Sequence, residues 1–328
     1  ECHPERFRRN KLRMQRVAHY SLACLRGLAD EAGLHDFDFH ADGTLWLFRT
    51  AQEAELGRLA TRALDSFGVP WRWLEPHEVD ACEPALAQRS ARIAGALQLP
   101  ADASGDSHRF AQSLVRLLSD QGVALRFNTT VQALETEGDR ISGVRSSAGR
   151  LTADAYVVAL GNQAPFLLRP LGLNLPVYPL KGYSITAPLL EGAPDIRPAL
   201  MDEHNKVMIS RLGGRIRAAG MAELGGYGLS ADPAQRDMLL RVVREFIPHG
   251  MDEQRVTFWA GLRPMTPDGP PILGPTRWRG LFLNSGHGSN GWTQACGTSR
   301  IVASLVAGRA PEIDLEGLTG ERFGISAR

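Results

Sequence analysis

No stretch of this 328-residue chain holds the roughly 20 consecutive apolar residues that a spanning helix needs, so the sequence predicts a protein that does not cross a membrane. The chain begins at Glu1 rather than at a methionine, and the charged start has no signal-peptide core. Cysteine is scarce. Cys2, Cys24, Cys82 and Cys296 lack metal-ligand spacing, which argues against a metal site; they read as reduced, structural thiols of a cytosolic protein. A charge excess of one sign is also missing: 37 Lys and Arg against 36 Asp and Glu leave a net charge of +1, which points to no nucleic acid partner. No glycine precedes Gly27, so the opening segment has no glycine-rich turn of the kind that cradles phosphates.

What is present suffices for a large buried core. With 43% hydrophobic residues in 328, two domains are expected. The basic segment Arg6, Arg8, Arg9, Lys11, Arg13 and Arg16 precedes a helical spacing of Val17, Leu22, Leu25 and Leu28, ended by Gly33. These arginines read either as a solvated helix face or as a membrane-surface patch. Residues 37–40 and 44–48 alternate around Ala41-Asp42-Gly43 and predict a hairpin. Helices are predicted over 51–67 and 75–82, a strand over 94–99, and a helix over 109–121 capped by Ser107.

The next block has the texture of a nucleotide-binding α/β domain. A strand is predicted over 123–127, a meander over 131–136 and 141–146 with its turn at Gly138-Asp139, and an apolar strand over 155–160 ending in Gly161. A buried strand that ends in glycine suits close approach by a cofactor's phosphates, and equally suits a plain core strand and turn. A β-rich region follows over 178–186, 206–211 and 215–220, then a helix over 232–246, and residues 255–262 lead on to the late segments. Each domain therefore uses non-contiguous segments.

Two stretches near the end organise the chain. Gly261-Leu262-Arg263-Pro264-Met265-Thr266-Pro267-Asp268-Gly269 sets one arginine in a Pro-rich loop, where a fixed guanidinium suits a carboxylate; a salt bridge is the plainer use of Arg263. Asp268 and Gly269 read as turn formers. Then Leu281 to Ser285 runs as a strand into Gly286-His287-Gly288-Ser289-Asn290-Gly291-Trp292 and a helix of small residues closed by Gly308. The turn matches Gly-x-Gly-x-x-Gly, but the dinucleotide fingerprint needs a further strand and an acid about twenty residues on. Asp314 is near that place, yet residues 310–318 do not read as a buried strand.

Several segments together carry a family resemblance. They are residues 43–50 (GTLWLFRT), 97–100 (LQLP), 127–129 (FNT), 153–156 (ADAY), 177–184 (VYPLKGYS), 215–217 (RIR), 220–223 (GMAE), 258–269 and 286–297. They run nearly end to end. The chain resembles the flavoprotein group of D-amino-acid oxidase, glycine oxidase and sarcosine oxidase, and within it the D-amino acid dehydrogenase small subunits.

The resemblance implies a mixed α/β fold with an FAD-binding Rossmann-like domain over 100–173 and 256–328. A substrate domain with a large mixed sheet takes 1–99 and 174–255. It implies FAD contacts at Val131, at Gly161, and at Gly286, His287, Gly288, Ser289, Asn290, Gly291 and Trp292. Arg263 would hold the substrate carboxylate, with Lys181 and Tyr183 beside it as further site residues. The implied reaction moves hydride from a D-amino acid such as D-alanine to the flavin; the imine then hydrolyses to a 2-oxo acid and ammonia. The implied acceptor is a quinone or respiratory carrier, reached by peripheral contact with the inner face of a bacterial plasma membrane. Members of the group open with a strand and Gly-x-Gly-x-x-Gly turn that these residues lack, so the chain is expected to be truncated and, alone, to hold FAD weakly. Two alternatives stand beside this: an amine oxidase of the glycine or sarcosine type that uses oxygen, and a truncated chain without activity.

Overall fold

The computed structural model describes residues 3–325, so Cys2 lies outside it. The fold is mixed α/β, with helices, one eight-stranded sheet and two three-stranded sheets. Contacts divide the chain into two compact units: Glu1–Leu34, Val115–Leu180 and Leu262–Arg328 in the first, His35–Leu114 and Lys181–Gly261 in the second.

The first unit begins with one long helix, Pro4–Ala32, which absorbs the basic segment and the apolar spacing together. Proline is tolerated in its first turn, where its missing N–H has no intrahelical partner. Gly33, at φ 62°, ends the helix in the left-handed conformation. Val17, Ser21, Leu25 and Ala29 recur every four residues on the buried face. That row packs on the helix Gly291–Val306, where the Gly297 N–H donates to the Ser21 hydroxyl at 3.1 Å. This packing places residues 3–34 with the late segments, whereas the sequence reading grouped 1–99 together.

Two small sheets complete this unit. Strand Leu281–Ser285 runs parallel to Tyr156–Val158 and antiparallel to Ile272–Pro275. Val131–Glu137, Arg140–Ser146 and Gly149–Leu151 form the expected meander. Residues 123–127 are not a strand. The Val123 N–H turns back to Leu118 O, and Val123 and Phe127 stay 45% and 67% exposed, without a ladder among the described residues.

The second unit is built on the eight-stranded sheet. Its order is Thr257–Met265, Tyr178–Pro188, Arg215–Glu223, Val207–Leu212, Ala199–Asp202, Thr44–Phe48, Gly95–Leu99, Arg72–Leu74. One face buries Leu45, Leu47, Ile185, Leu200, Ile209 and Ile216 against Leu239, Val243 and Phe246 of helix Pro233–Phe246. On the other face, Phe48, Leu97 and Leu99 meet helix Ala51–Ser66, which starts at a capping box between Thr50 and Glu53. Arg49 fixes three segments by pairing with the fully buried Asp202 and with Glu245.

Two local expectations are corrected here. The hairpin over 37–48 does not form: Thr44–Phe48 pairs with Gly95–Leu99 and Ala199–Asp202, while Phe37 packs against Phe110 at 5.1 Å. The helix Ser107–Asp120 is capped by Asp106, not Ser107, because the Asp106 carboxylate accepts from the N–H groups of His108 and Arg109 at 2.9 and 3.1 Å.

The crossing of the two long helices is sensitive to one side chain. A Cβ at position 297 would lie 2.9 Å from Ser21 Cα, so the helices must separate to admit one. Gly297→Leu is expected to cost about 1–3 kcal/mol by overpacking, read as a lower urea midpoint, whereas an unchanged midpoint would mean that the crossing is loose.

Candidate functional site

Within the first unit, residues 262–266 lie between two glycine turns. On one side stands Gly161, just past the strand Tyr156–Val158, at φ +52°. A Cβ there would sit 3.7 Å from Pro264 Cγ, and the neighbouring Asn162 side-chain amide donates to Leu262 O at 2.8 Å. On the other side, Gly286 (φ +78°) and Gly288 (φ +56°) follow the strand Leu281–Ser285. A Cβ on Gly286 would meet Thr266 Cγ2 at 2.6 Å, and one on Gly288 would meet Met265 Sδ at 2.6 Å. These two positions need glycine on both counts, conformation and space.

The loop beyond is equally fixed. The Thr266 hydroxyl donates to Pro270 O at 3.0 Å and accepts from the Gly269 N–H at 3.1 Å. Asp268 receives the Arg322 guanidinium through both oxygens, at 2.7 and 3.2 Å. Asp268 and Gly269 thus shape the turn, as their residue types predict. Arg263 is held, half-buried, at the centre of this frame.

The electrostatics follow from burial. Desolvation lowers the Arg263 pKa from its ordinary value, yet a guanidinium stays charged at neutral pH. Burial pulls His287 down to about 4, so the imidazole is neutral at pH 7; its Nε2 lies 3.1 Å from the Thr298 hydroxyl. Gly288–Asn290 forms one short 3₁₀ turn, and helix Gly291–Val306 begins without a side-chain cap, so its positive end lies at this turn. Around this turn, Asn162 Oδ1, Asn284 Oδ1 and Gln294 Oε1 are buried with no hydrogen-bond partner among the described residues.

The structure brings Gly161, Arg263, Gly286, His287 and Gly288 together, with Ser289, Asn290, Gly291 and Trp292 on the same turn and the first turn of its helix. Val131 opens the meander strand, 39% exposed, and no described contact joins it to this cluster. Lys181 and Tyr183 belong to the second unit. There a bulge between Gly220 and Glu223, with Met221 at φ +60°, turns Glu223 toward them. The Tyr183 hydroxyl donates to Glu223 Oε2, and Lys181 Nζ pairs with Glu223 Oε1 at 2.9 Å. The Glu223 contact raises both the Lys181 and Tyr183 pKa values, and the Lys181 contact lowers that of Glu223. Glu223, Asn162 and Gln294 were not singled out from sequence; Asn162, directly after Gly161, had the nearest signal.

Residues 2–305 match the family of FAD dependent oxidoreductases. The chain belongs to this family. It is 47% identical over 323 residues to a D-amino acid dehydrogenase of Methylobacterium radiotolerans, covering 98% of this chain and 77% of that one. A D-amino acid dehydrogenase of Xanthobacter autotrophicus is 45% identical over 327 residues, with 99% and 77% covered. Among solved structures, glycine oxidase from Geobacillus kaustophilus superposes with a TM-score of 0.83 at 26% identity, covering 92% of this chain and 81% of that one.

An FAD dependent oxidoreductase needs a flavin cradle, and the residues around Arg263 fit one. Two positive-φ turns bring bare backbone to the same place, a helix begins there without a side-chain cap, and three buried amide oxygens lack donors among the described residues. The Gly286 to Gly291 motif is not a dinucleotide fingerprint. No strand forms over 310–318, and Asp314 pairs with Arg16 at 3.3 Å. Among the described residues no cluster of His, Cys, Asp or Glu could hold a metal ion, and no helix is long and apolar enough to cross a membrane.

The buried, neutral His287 sets a pH dependence. Its folded pKa, about 4, lies below the ordinary 6.5, so the unfolded chain binds the extra proton first as pH falls. Stability is therefore full above pH 6.5 and is lost from there down toward 4, by about 3 kcal/mol at roughly 1.4 kcal/mol per unit. His287→Gln should remove about one proton from the slope of unfolding free energy between those values; an identical slope in the variant would show that the imidazole is not buried neutral.

Proposed function

We propose that this chain carries out the FAD-dependent oxidative deamination of D-amino acids, D-alanine among them, to 2-oxo acids and ammonia, with electrons passing to a quinone or another respiratory acceptor. One observation carries the reading: Arg263 is fixed between two glycine turns beside an uncapped helix end. Relatives at 45% to 47% identity that are named D-amino acid dehydrogenase support it. FAD, when bound, supplies the two-electron acceptor for the substrate's Cα–H bond.

The chain's own residues then bind, orient and keep charge in order. The Arg263 guanidinium takes the substrate carboxylate with two parallel hydrogen bonds. Pro264 and the clamped Thr266 hold that fork in place, which converts binding into orientation. Neutral His287 puts no cation beside a substrate amine that must itself be uncharged. The Gly286 to Trp292 turn and helix end stabilise negative charge on the flavin side of the site. We assign Gly161 to the phosphates and the Val131 backbone to the adenine, so that the first unit holds the cofactor. Lys181 and Tyr183, tied to Glu223, stiffen the strand Tyr178–Pro188 and stand as further candidates for substrate contact.

Contact with a membrane surface would use Arg8 and Arg9, which are exposed near the start of the first helix. Arg13 is excluded from that patch because Glu316 holds it. Each remaining arginine would gain about 1 kcal/mol from anionic lipid. The likeness to glycine oxidase favours a second reading, an oxidase that reduces oxygen. Stimulation of D-alanine turnover by a soluble quinone analogue, with little peroxide in air, is the outcome expected; rapid peroxide formation without quinone stimulation would favour the oxidase.

Arg263→Leu is expected to cost on the order of 3 kcal/mol of transition-state binding, as kcat/KM for D-alanine in flavin-loaded protein, because a carboxylate–guanidinium pair in a closed site is lost. The visible spectrum of the bound flavin should not change. Full kcat/KM in the variant would remove Arg263 from the substrate.

A further inference from the structure

The second unit carries an arginine that its own structure leaves unanswered. In the strand Arg215–Glu223, Ile216 and Ala218 are buried in the core with the helix Pro233–Phe246, so Arg217 and Ala219 point to the opposite face of the sheet. The register sets Arg217 opposite Thr186 and Ala219 opposite Ser184, so both of those hydroxyls share the face of Arg217. Ser210 and Met208 continue the same rows on the other side.

The neighbouring arginine shows what a satisfied partner set looks like. Arg215 pairs with Asp106 at 2.6 Å and lies 3.5 Å from Asp38. Arg217 has no ion pair or hydrogen bond among the described residues. Its guanidinium carbon instead stands 5.9 Å from the centre of the Trp259 ring. Trp259 is 57% exposed, and its ring lies across Gly261, where a Cβ would meet Cη2 at 2.1 Å. Burial, the largest cause, lowers the Arg217 pKa, and Arg215 acts in the same direction against Asp106. Beside it, Ser184 is 1% exposed and its Oγ has no partner among the described residues. A half-buried cation backed by an aromatic ring, next to a buried hydroxyl with nothing to bond, costs free energy until an anion arrives.

We propose that Arg217, with the hydroxyls of Ser184 and Thr186, forms a carboxylate-binding position on the face of the large sheet opposite the helix Pro233–Phe246. This anion site stands on the geometry of the second unit alone. The planar guanidinium donates two parallel hydrogen bonds to a carboxylate, the hydroxyls donate to the carboxylate's remaining lone pairs, and the Trp259 face holds the fork flat.

The test separates the site from the reaction. Glutarate, a dicarboxylate without an amine, is titrated against the chain while tryptophan emission is followed, and Trp259→Phe identifies the part of the signal that belongs to Trp259. The expected result is a saturable change in the native chain, lost in Trp259→Phe and at least tenfold weaker in Arg217→Met. Inorganic phosphate at the same concentration should compete poorly; equal competition would replace carboxylate by a general anion and overturn the proposal. Arg217→Met should unfold at an equal or higher urea concentration than the native chain, because it removes a cation with no internal partner; a lower midpoint would assign Arg217 to the scaffold.

Discussion

The first unit depends on a close approach that only glycine permits. Thr266 and Met265 press onto Gly286 and Gly288 so tightly that a Cβ at either glycine would lie 2.6 Å from a neighbouring atom. Both glycines also hold positive φ. From that contact follow the direction of the chain through Arg263, the position of neutral His287, and the start of helix Gly291–Val306 at the same turn. The Thr266 and Asp268 bonds then lock the far side of the loop. An arginine in such a frame loses little further entropy on gripping a ligand, which is how positioning becomes rate.

The second unit makes a comparable choice with one inserted residue. Without the bulge at Met221, the alternation of Arg215–Glu223 would put Glu223 on the face of Arg217 and Ala219. With it, Glu223 joins Lys181 and Tyr183 on the opposite side, so that the carboxylate nearest to Arg217 along the strand is spent elsewhere. The bulge thereby removes Glu223 from the row of Arg217, Ser184 and Thr186, while Asp106 and Asp38 are taken up by Arg215.

Much of this could be read from residues. The helix ended by Gly33, the capped helices after Thr50 and Asp232, the meander around Gly138, and the strand–turn–helix from Leu281 to Val306 all announce themselves through apolar period and turn chemistry. Arg263 and the glycine turn were legible for the same reason, since proline and glycine leave local marks. Long-range pairing was not. Residues 37–40 alternate like a strand, yet Thr44–Phe48 finds better partners at Gly95–Leu99 and Ala199–Asp202, far off in sequence. Residues 123–127 have strand composition but no ladder, so Phe127 stays exposed. The contact of the first helix with Gly297 and the bulge at Met221 are likewise decided by tertiary packing, and neither residue type alone predicts them.

The central claim is that the framed Arg263 presents a D-amino acid to FAD. The most direct measurement mixes the protein, at saturating FAD and without oxygen, with D-alanine or with L-alanine, and follows the flavin's visible band. The account predicts bleaching whose rate saturates with D-alanine, with none from L-alanine. A band unchanged by D-alanine and by other D-amino acids would contradict it.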